Sequence, residues 1–450
     1  MVQSRAIWYN SLHDAWSGEE KTMTISCGKK LVSGRITAPP SKSSMQRAVA
    51  CSMLAEGTSR LHGGVLSNDS GAAIRIALAL GASVEMKKDA MEITGSSLFT
   101  GDSLGKNSDA DEALELDCGE SGLCMRMFSP IAALLPRPTL LRGRGSLARR
   151  PMGMVELSLR ELGVSCHAAD GLPPLAICGP LRGGRLSIDA GESSQLLTGL
   201  LIALPLVPGD SELLVSHAVS KGYLDLTIDT CAVFGVKIEK NPGYSRFSIR
   251  GRQKYMSREF SIEGDWSGAA FLVVAAAIAA EEGELQITGL QVNSSQPDKA
   301  VLAAALMAGA SIRTEQENIY VKKGRLEAFE FDATDCPDLF PPLAALAAAC
   351  PGTSSIRGIH RLAGKESDRA ASLKTCLESL GTKVSFDGDF MRVNGGSLHG
   401  GIVDSFGDHR IAMAAAVAAL VSSETVTIQG SECVAKSWPK FFEDLGSICV

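Results

Sequence analysis

A short pattern that recurs six times constrains the fold of this chain more than any other feature of its sequence. In each copy an apolar helix-like run ends at a glycine, and a strand-like run follows. The glycines are Gly81, Gly163, Gly235, Gly309, Gly381 and Gly446. They are separated by 82, 72, 74, 72 and 65 residues. Since glycine after a helix readily takes the left-handed conformation that turns the chain into a strand, this near-constant interval predicts six copies of one folding unit.

A second apolar helix pattern, followed by a turn with glycine or proline and then a strand, lies between these glycines. Its copies span 45–63, 125–143, 195–215, 268–289, 340–358 and 410–430. Each unit of about 70 residues therefore contains two helices and several strands, as in α/β proteins. Because 450 residues are too many for one typical core, we predict two domains of three units each.

The predicted domain boundary lies near Glu263, where the fourth unit opens. The extended stretch 30–38, which the prolines at 39 and 40 end, could pair with either half. We assign 41–263 to the first domain, 23–40 together with 264–450 to the second, and 1–22 to an extension. Met23 is a candidate initiator, because the first strand pattern begins just after it.

The composition argues against several classes of protein. The formal net charge of −6 provides no general basic field for nucleic acid or a membrane surface, so any anion site has to be local. The longest apolar runs, 268–280 and 410–421, are too short and too rich in alanine to span a bilayer. Twelve scattered cysteines without CxxC spacing, and a start without the layout of a secretion signal, predict a cytoplasmic location.

The segment 41–47 follows two prolines and opens the first apolar helix pattern. Serines at this place cap a helix, and the first helical turn offers free backbone N–H groups and a partial positive charge. Lys42 and Arg47 add full charges, so this helix start could hold a dianion such as a phosphate. The alternative is an ordinary capped helix whose lysine and arginine face solvent.

Polar and often basic motifs recur just before other helix patterns or in nearby loops. They lie at 119–126, 148–151, 191–195, 220–223, 335–338, 365–369, 407–410 and 435–439. Each has an ordinary structural alternative. Asp338 could be a helix cap, and Lys365 and Arg369, one turn apart on a helix, could form a solvated face. Their recurrence at equivalent places of the repeat predicts one shared cleft for anions between two domains.

Three common nucleotide and metal motifs are missing from the chain. It has no GxxxxGK[ST], no HExxH and no GxGxxG after a strand. This argues against a P-loop kinase, a zinc hydrolase and a dinucleotide enzyme.

Eight motifs, in the same order along about 30–450, resemble the 5-enolpyruvylshikimate-3-phosphate synthase family of enolpyruvyl transferases. They are PSKS-x3-R at 40–47, SSQ at 193–195, SKGY at 220–223, EGDWS at 263–267, DCPD at 335–338, KESDR at 365–369, GDHR at 407–410 and AKSWPKFF at 435–442. The resemblance implies two similar α/β domains, each of three βαβαββ units arranged as an inside-out α/β barrel. It places the active site in the interdomain cleft, which closes on the substrates.

The resemblance also implies a reaction. The family transfers the enolpyruvyl group of phosphoenolpyruvate to the 5-hydroxyl of shikimate 3-phosphate and releases phosphate, in the biosynthesis of chorismate and aromatic amino acids. The reaction proceeds by addition and elimination through a tetrahedral intermediate, with no metal and no organic cofactor. We therefore expect two small anionic substrates as partners, no nucleic acid, no membrane and a monomeric protein. We also expect full closure to require both substrates.

Site residues carry over from the family by matching motifs. The residues implied for shikimate 3-phosphate are Lys42, Ser43, Arg47, Ser193, Ser194, Gln195, Ser220, Tyr223, Asp338 and Lys365. Those implied for phosphoenolpyruvate are Lys42, Gly122, Arg150, Gln195, Arg369, Arg410 and Lys436.

Four of the matching residues are implied to be catalytic. Asp338 would take the proton of the 5-hydroxyl, and Glu366 would exchange a proton with the methylene carbon. His409 would support Glu366, and Lys42 would touch both substrates. Removing an alcohol proton while protonating an enol carbon requires opposed base and acid groups, and cations have to stabilise the departing phosphate.

Three positions depart from the family pattern. Glu120 and Leu123 stand where the family usually has asparagine and threonine, around the retained Gly122. We expect Glu120 to point away from the phosphoenolpyruvate pocket or to pair with an arginine. Arg361 stands where many members have asparagine, which puts one phosphate contact in doubt.

Two alternatives remain open to test. The sister enzyme that transfers enolpyruvyl to UDP-N-acetylglucosamine shares the six-unit architecture, but it lacks the SKS-x3-R start and uses a reactive cysteine. Cys124 would be the candidate here, although its place at a helix start favours a core thiol. A non-catalytic anion-binding relative is the other alternative, and the joint presence of Asp338, Glu366 and Lys436 argues against it.

Overall fold

The structure is a computed structural model that describes residues 22–64, 66–99 and 113–450. Residues 1–21, most of the predicted extension, lie outside these ranges. The helices are α1 (Lys42–Leu54), α2 (Asn68–Ala79), α3 (Gly122–Ala132), α4 (Gly153–Glu161), α5 (Gln195–Ala203), α6 (Lys221–Val233), α7 (Trp266–Ala279), α8 (Val301–Met307), α9 (Phe340–Ala349), α10 (Arg369–Ser379), α11 (His409–Ala419) and α12 (Phe441–Ser447). In the described ranges, none of them has both the length and the apolar character needed to cross a membrane.

Short strands alternate with these helices. They are β1 (Thr24–Cys27), β2 (Gly34–Thr37), β3 (Ala55–Glu56), β4 (Thr58–His62), β5 (Ser83–Met86), β6 (Ala90–Thr94), β7 (Leu114–Asp117), β8 (Thr139–Arg142), β9 (Ser165–Ala169), β10 (Leu172–Cys178), β11 (Arg185–Asp189), β12 (Ser211–Ser216), β13 (Ile238–Lys240), β14 (Arg246–Ile249), β15 (Tyr255–Met256), β16 (Glu259–Ser261), β17 (Leu285–Thr288), β18 (Ser311–Glu315), β19 (Asn318–Lys322), β20 (Glu330–Asp332), β21 (Gly352–Arg357), β22 (Lys383–Asp387), β23 (Phe390–Gly395), β24 (Gly401–Asp404) and β25 (Val426–Gln429). The predicted α/β class is therefore confirmed.

Five sheets of four strands share one topology. In the sheet β7-β8-β10-β9, the first two strands are parallel and the last two form an antiparallel hairpin that joins β8 through β10. The parallel pair needs a crossover, which α3 provides, whereas the hairpin needs only a short turn. The same order recurs in the sheets that contain β4, β12, β17 and β21. This is the βαβαββ unit that the repeat and the family resemblance implied.

Two units take their first strand from a distant part of the chain. The sheet of β4 is completed by β16, and the sheet of β17 is completed by β2, each in parallel register. In the sixth unit β24 and β25 are parallel. Strand β1 pairs antiparallel with β25, as β10 pairs with β8 in the sheet described above. The segment that contains β1 and β2 therefore completes two sheets of the second half.

Because β1 and β2 belong to sheets of the second half, the described part of the chain crosses between the two halves twice, and the crossings lie side by side. We call segments 38–41 and 262–265 together the crossing ribbon. The backbone N–H of Asp265 donates to the carbonyl of Pro39 at 2.7 Å, and that of Ser41 donates to Glu263 at 2.8 Å. Pro40 and Gly264 form an antiparallel bridge between these two bonds. The two halves are thus joined by one short hydrogen-bonded ribbon.

Each half has its own hydrophobic core. One core contains buried side chains between Met45 and Ile262, and the other contains Val32, Ile36 and Ala38 with buried side chains from 266 to 448. In the second half α7, α9 and α11 pack against one another. Every residue of α7 and of α11 is buried. Their many alanines allow this, because small side chains let helices buried on all sides approach closely.

Five of the six repeat glycines have the predicted left-handed conformation, with φ between 83° and 92° at Gly81, Gly163, Gly235, Gly309 and Gly381. The prediction is wrong for Gly446, which lies inside α12. The residues after it start no new hairpin. Instead, Cys449 forms a bridge with Val32, and the N–H of Val450 donates to the carbonyl of Leu31 at 3.0 Å. Contacts with Leu31 and Val32 therefore fix the residues after α12, and no left-handed glycine is needed to end this helix.

Gly395 is required for lack of space rather than for its backbone conformation. At the end of β23, a side chain on Gly395 would overlap the backbone carbonyl of Ala347 and lie 2.6 Å from that of Cys350. Because backbone atoms at a helix end cannot move aside easily, Gly395→Ala should lower the free energy of unfolding by at least about 2 kcal/mol. The measurement is unfolding by heat or urea.

The matched control is Gly446→Ala. This glycine is helical, and no atom of another described part of the chain lies within 4 Å of an added Cβ, so the substitution should leave stability unchanged or raise it by about 0.5–1 kcal/mol. Equal destabilisation by both substitutions would contradict the close approach at Gly395.

Candidate active site

A polar cleft lies between the two halves, and the starts of several helices converge on it. The first half contributes α1, α3, α5 and α6, and the second half contributes α11 and the turns before α9 and α10. The structure brings nearly every residue implied by the family to this cleft. Its lining includes Lys42, Ser43, Arg47, Gly122, Arg150, Ser193, Ser194, Gln195, Ser220, Tyr223, Asp338, Lys365, Glu366, Arg369, His409 and Arg410. Lys436 joins them through Glu366, 3.5 Å from its carboxylate.

Arg369 is the central cation of the second half, and its side chain is only 1% exposed. Its Nε donates to Asp408 at 2.9 Å, its Nη1 to Asp338 at 3.0 Å and its Nη2 to Glu366 at 2.6 Å. Burial disfavours the cation, but these three carboxylates together raise the pKa of Arg369 above its ordinary value. One buried guanidinium therefore orients three acids, two of which face the cleft.

Asp338 is surrounded by cations. Besides Arg369, its carboxylate accepts a bond from Arg410 at 3.0 Å and lies 3.7 Å from the ammonium of Lys365. Burial would raise the pKa of Asp338, but Arg410, Lys365 and Arg369 hold it well below its usual range. The alternative that Asp338 caps a helix is wrong, because α9 begins at Phe340 without a side-chain cap.

Glu366 links the two halves electrostatically. Its Oε1 lies 3.5 Å from Arg150 of the first half and 3.5 Å from Lys436 of the second. Burial would raise the pKa of Glu366, but Arg150, Lys436 and Arg369 hold it well below its ordinary value. Both carboxylates are therefore ionised in this arrangement.

His409 is the first residue of α11 and is 1% exposed. Neither ring nitrogen has a hydrogen-bond partner in the described structure. Burial lowers the pKa of His409 well below its ordinary value. Glu366 acts in the opposite direction, and the nearby Arg410 and Lys42 lower the pKa further. The imidazole is therefore neutral at physiological pH.

On the first-half side, α1 begins as the sequence predicts. Ser41 caps the helix by accepting the N–H of Ser44 at 3.2 Å. The ammonium of Lys42 pairs with Asp69 at 2.9 Å. Burial disfavours its charge, but Asp69 raises the pKa of Lys42 above its usual value. Lys42 is therefore charged and held in place at the cleft.

Arg47 lies one turn further along α1 and is buried. It donates to the hydroxyl of Thr227 at 2.9 Å and to the carbonyls of Ser43 at 2.8 Å and Tyr223 at 3.2 Å. Burial lowers the pKa of Arg47 to about 10, which still leaves the guanidinium charged at physiological pH. Hydrogen bonds from α1 and α6 thus fix this cation at the cleft.

The hydroxyl-rich motifs lie at two further helix starts. Gln195 is the first residue of α5, and its side-chain carbonyl accepts a bond from Arg126 at 3.0 Å. Ser220 precedes α6 in the left-handed conformation, with φ of 53°, and its N–H donates to Asp335 at 2.9 Å. Non-glycine residues in this conformation carry strain that the surrounding contacts must offset, and such residues cluster at functional sites.

One local expectation is wrong. Lys365 and Arg369 do not share a helix, because α10 begins at Arg369 and Asp368 caps it by accepting the N–H of Ala371. Glu120 is not part of the cleft lining, and its ionic partner is a lysine rather than an arginine. Its carboxylate lies 3.8 Å from the ammonium of Lys436, which also donates to the Glu120 carbonyl at 3.0 Å. Lys436 reaches this carboxylate because it comes from the opposite wall of the cleft.

The other departures from the family pattern also lie at the cleft. Arg361 is buried and donates to the carbonyl of Thr334 at 2.6 Å and to the hydroxyl of Ser220 at 3.3 Å. Leu123 is part of the lining. A Cβ on Gly122 would lie 2.8 Å from the guanidinium of Arg150, so glycine leaves room for that cation.

Sequence reasoning missed three acids that hold site residues in place. Asp69 pairs with Lys42, Asp408 pairs with Arg369, and Asp298 accepts a bond from Tyr223 at 2.9 Å. Asp408 belongs to a motif that was recognised, but it also caps α11 by accepting the N–H of Arg410. An aspartate at a helix start is ordinarily explained by capping alone, so the pattern gave no signal of the second role.

A second, larger cavity of about 400 Å³ opens beside the crossing ribbon. Its lining is mainly apolar and includes Pro39, Pro40, Ile262 and Trp438. The acid that lines it, Asp444, accepts a bond from the Trp438 indole at 2.7 Å. Size alone therefore does not identify the site. The cleft, and not this cavity, has the set of cations and carboxylates required for chemistry on anions.

Comparison with known proteins agrees with this geometry. Residues 27–445 match the family EPSP synthase (3-phosphoshikimate 1-carboxyvinyltransferase). A 3-phosphoshikimate 1-carboxyvinyltransferase of Clostridium novyi (strain NT) is 36% identical over 419 residues, which cover 93% of this chain and 95% of the relative. The enzyme of the same name from Methanosarcina acetivorans is 37% identical over 436 residues, which cover 95% and 98%.

The fold is also found in solved structures. A solved structure of EPSP synthase from Acinetobacter baumannii superposes with a TM-score of 0.79 at 26% identity and covers 95% of this chain and 98% of that one. The match thus extends over nearly the whole length of both proteins, and it includes both halves that form the cleft. The chain belongs to the EPSP synthase family.

Proposed function

We propose that this chain transfers the enolpyruvyl group of phosphoenolpyruvate to the 5-hydroxyl of shikimate 3-phosphate. The observation that carries the proposal is the meeting of cations from both halves around two ionised carboxylates, Asp338 and Glu366. The family's substrates are both small anions, which a local cluster of cations suits in a chain of net negative charge. The two halves, 41–263 and 23–40 with 264–450, act as domains that close on the substrates.

Phosphoenolpyruvate occupies the side of the cleft where Arg150 meets the second half. Arg369, Arg410 and Lys436 supply charges for its carboxylate and phosphate. Gly122 opens α3, and its position leaves the backbone N–H groups of that helix start accessible to an anion. Lys42 and Gln195 lie between this side and the other substrate.

Shikimate 3-phosphate occupies the side formed mainly by the first half. Its phosphate is held by the hydroxyls of Ser193, Ser194 and Ser220 and by the charge of Lys365. Its carboxylate is held by Arg47 and Ser43, and the Tyr223 ring packs against the cyclohexene. This assignment agrees with the lining of the cleft, in which all of these residues take part.

The ionic contacts explain how the base becomes active. Arg410, Lys365 and Arg369 hold the pKa of Asp338 low, which makes its carboxylate a weak base. When phosphoenolpyruvate binds, its anionic groups share these cations, and the pKa of Asp338 rises. Asp338 then accepts the 5-hydroxyl proton while that oxygen bonds to the central carbon of phosphoenolpyruvate.

The pKa of Glu366 rises for the same reason, on the opposite side of the reacting carbon. Once the substrate phosphate shares Arg150 and Lys436, the carboxyl can carry a proton and donate it to the methylene carbon, which gives the tetrahedral intermediate. Glu366 then removes a methyl proton as the bond between the central carbon and the phosphate oxygen breaks, and Asp338 returns its proton to the leaving phosphate. Protons therefore balance over addition and elimination. The neutral His409 beside Glu366 adds no competing positive charge.

The rival acceptor, UDP-N-acetylglucosamine, finds less support in this structure. Its family uses a reactive cysteine, whereas burial raises the pKa of Cys124 to about 12. A buried thiol of this kind is a poor nucleophile at neutral pH. The side chain of Gln46 also donates to its sulfur at 3.1 Å.

The first prediction concerns the acceptor. With phosphoenolpyruvate and shikimate 3-phosphate, the protein should release phosphate in proportion to the phosphoenolpyruvate consumed. With UDP-N-acetylglucosamine as the acceptor it should release none. Turnover with the nucleotide sugar alone would select the rival activity.

The second prediction concerns the base. Asp338→Asn should lower kcat by about 10²–10⁴-fold, because the amide cannot accept the proton, and should change the Kd for shikimate 3-phosphate by less than about tenfold. The measurements are steady-state kinetics and calorimetric binding. Asp387→Asn, on an exposed aspartate paired with Arg392, is the control and should behave like the unsubstituted protein. Equal losses of turnover and binding would favour the non-catalytic relative.

The third prediction separates binding from chemistry at Glu366. Glu366→Gln removes a negative charge from Arg150, Lys436 and Arg369, so phosphoenolpyruvate should bind more tightly, by about threefold or more. Because the amide cannot shuttle a proton, kcat should fall by at least about 10²-fold. Glu378→Gln, on an exposed acid that pairs with Lys374, is the control. Weaker phosphoenolpyruvate binding in Glu366→Gln would count against the assigned charge balance.

A further inference from the structure

A segment of the second half, 294–298, packs directly on α6 of the first half. At Gly222 an added Cβ would overlap the carbonyl of Ser295 and lie 3.0 Å from the ring of Pro297. The hydroxyl of Ser295 donates to Asp229 at 2.5 Å. Glycine at the start of α6 therefore allows a backbone contact between the two halves, next to the cleft.

The same segment is tied to the crossing ribbon. Gln296 is 1% exposed, and its amide donates to the carbonyl of Gly264 at 2.8 Å. Its side-chain carbonyl accepts the N–H of Trp266 at 3.1 Å and the hydroxyl of Ser41 at 3.3 Å. One side chain thus contacts both crossings, so the position of 294–298 is fixed relative to both halves.

Asp298 ends this segment and is completely buried. Its Oδ2 accepts the hydroxyl of Tyr223, from the first half, at 2.9 Å, and it also accepts the hydroxyl of Ser267, from the second half. Its Oδ1 is buried without a partner in the described structure. A buried carboxylate with an unsatisfied oxygen is costly, which suggests a role beyond packing.

Asp298 does not line the cleft, whereas Tyr223 does. Burial and the neighbouring Asp338 raise the pKa of Asp298 to about 6, so its carboxylate is ionised at pH 7.5. An ionised carboxylate only accepts hydrogen bonds, so the Tyr223 hydroxyl has to donate to it. The backbone carbonyl of Tyr223 also accepts a bond from Arg47 at 3.2 Å. The tyrosine is thus held from both halves.

We propose that Asp298 is a positioning residue for shikimate 3-phosphate, which acts through Tyr223 by fixing its ring from the opposite half. The inference rests on the proposed function, since it takes the Tyr223 ring as a wall of the shikimate 3-phosphate site. It predicts that the working position of this ring depends on a hydrogen bond to the second half.

The test compares Asp298→Ala, Asp298→Asn, Tyr223→Phe and the Asp298→Ala/Tyr223→Phe pair at pH 7.5. Asp298→Ala should raise the KM and the calorimetric Kd for shikimate 3-phosphate by about tenfold, with kcat within about threefold of the unsubstituted protein. Asp298→Asn should restore binding to within about threefold, because the amide oxygen can accept the same hydroxyl.

The double substitution decides whether Asp298 acts through the tyrosine. Tyr223→Phe alone should resemble Asp298→Ala, and the pair should be no worse than either single change, because both remove the hydrogen bond from the Tyr223 hydroxyl to Asp298. Multiplied effects, an unchanged Kd in Asp298→Ala, or a loss of kcat without a change in KM would overturn the inference. If Asp298→Ala does not fold, a failure of Asp298→Asn to bind within about threefold would overturn it as well.

Binding and turnover separate the two proposals. Binding of shikimate 3-phosphate without phosphate release would overturn the proposed function and leave the positioning test intact, since that test can be read from Kd alone. The absence of any binding of shikimate 3-phosphate by the unsubstituted protein would overturn both.

Discussion

The buried guanidinium of Arg369 is the interaction on which the site depends. It orients Asp338, Glu366 and Asp408 at the same time, and each of these carboxylates has a different further role. Asp338 also pairs with Arg410, Glu366 reaches Arg150 on the other half, and Asp408 caps α11. Removing one partner of such a network leaves uncompensated charge in a buried place, which costs far more than a surface pair contributes. The acids and cations of the cleft therefore neutralise one another's charge, and each depends on the others being in place.

Much of the fold could be predicted from the sequence because its period is regular. The repeat glycines mark the turn from the second helix of each unit into its hairpin, and five of six have the expected conformation. The sheets that β2 and β16 complete could not be predicted. A strand pattern records which side chains are buried, and it reads the same whichever sheet the strand joins. The prediction for Gly446 is wrong for a related reason, since the contact that fixes the following residues joins Cys449 to Val32, which is remote in sequence.

The candidate site was predictable where it consists of cations at helix starts, since these motifs recur at equivalent places of the repeat, although each single start has an ordinary explanation. Its supporting acids were not. Asp69 lies in the first turn of α2, a common place for an acid, and Asp298 lies in a short turn after Pro297. What distinguishes them is the residue opposite, Lys42 for one and Tyr223 for the other. That information exists only after the chain has folded.

Strands from distant parts of the chain complete several sheets, and this affects folding during synthesis. When β4 leaves the ribosome, the edge that β16 will cover stays open until the rest of the first half has been translated, which takes between about 10 and 40 seconds at typical rates. Strands β1 and β2 stay unpaired for longer still, because their partners, β25 and β17, belong to the last three units. Nascent chains of this topology therefore expose unpaired strand edges, the surfaces most prone to intermolecular pairing, throughout much of translation. Assembly of the second half cannot finish until β25 has left the ribosome and paired with β1.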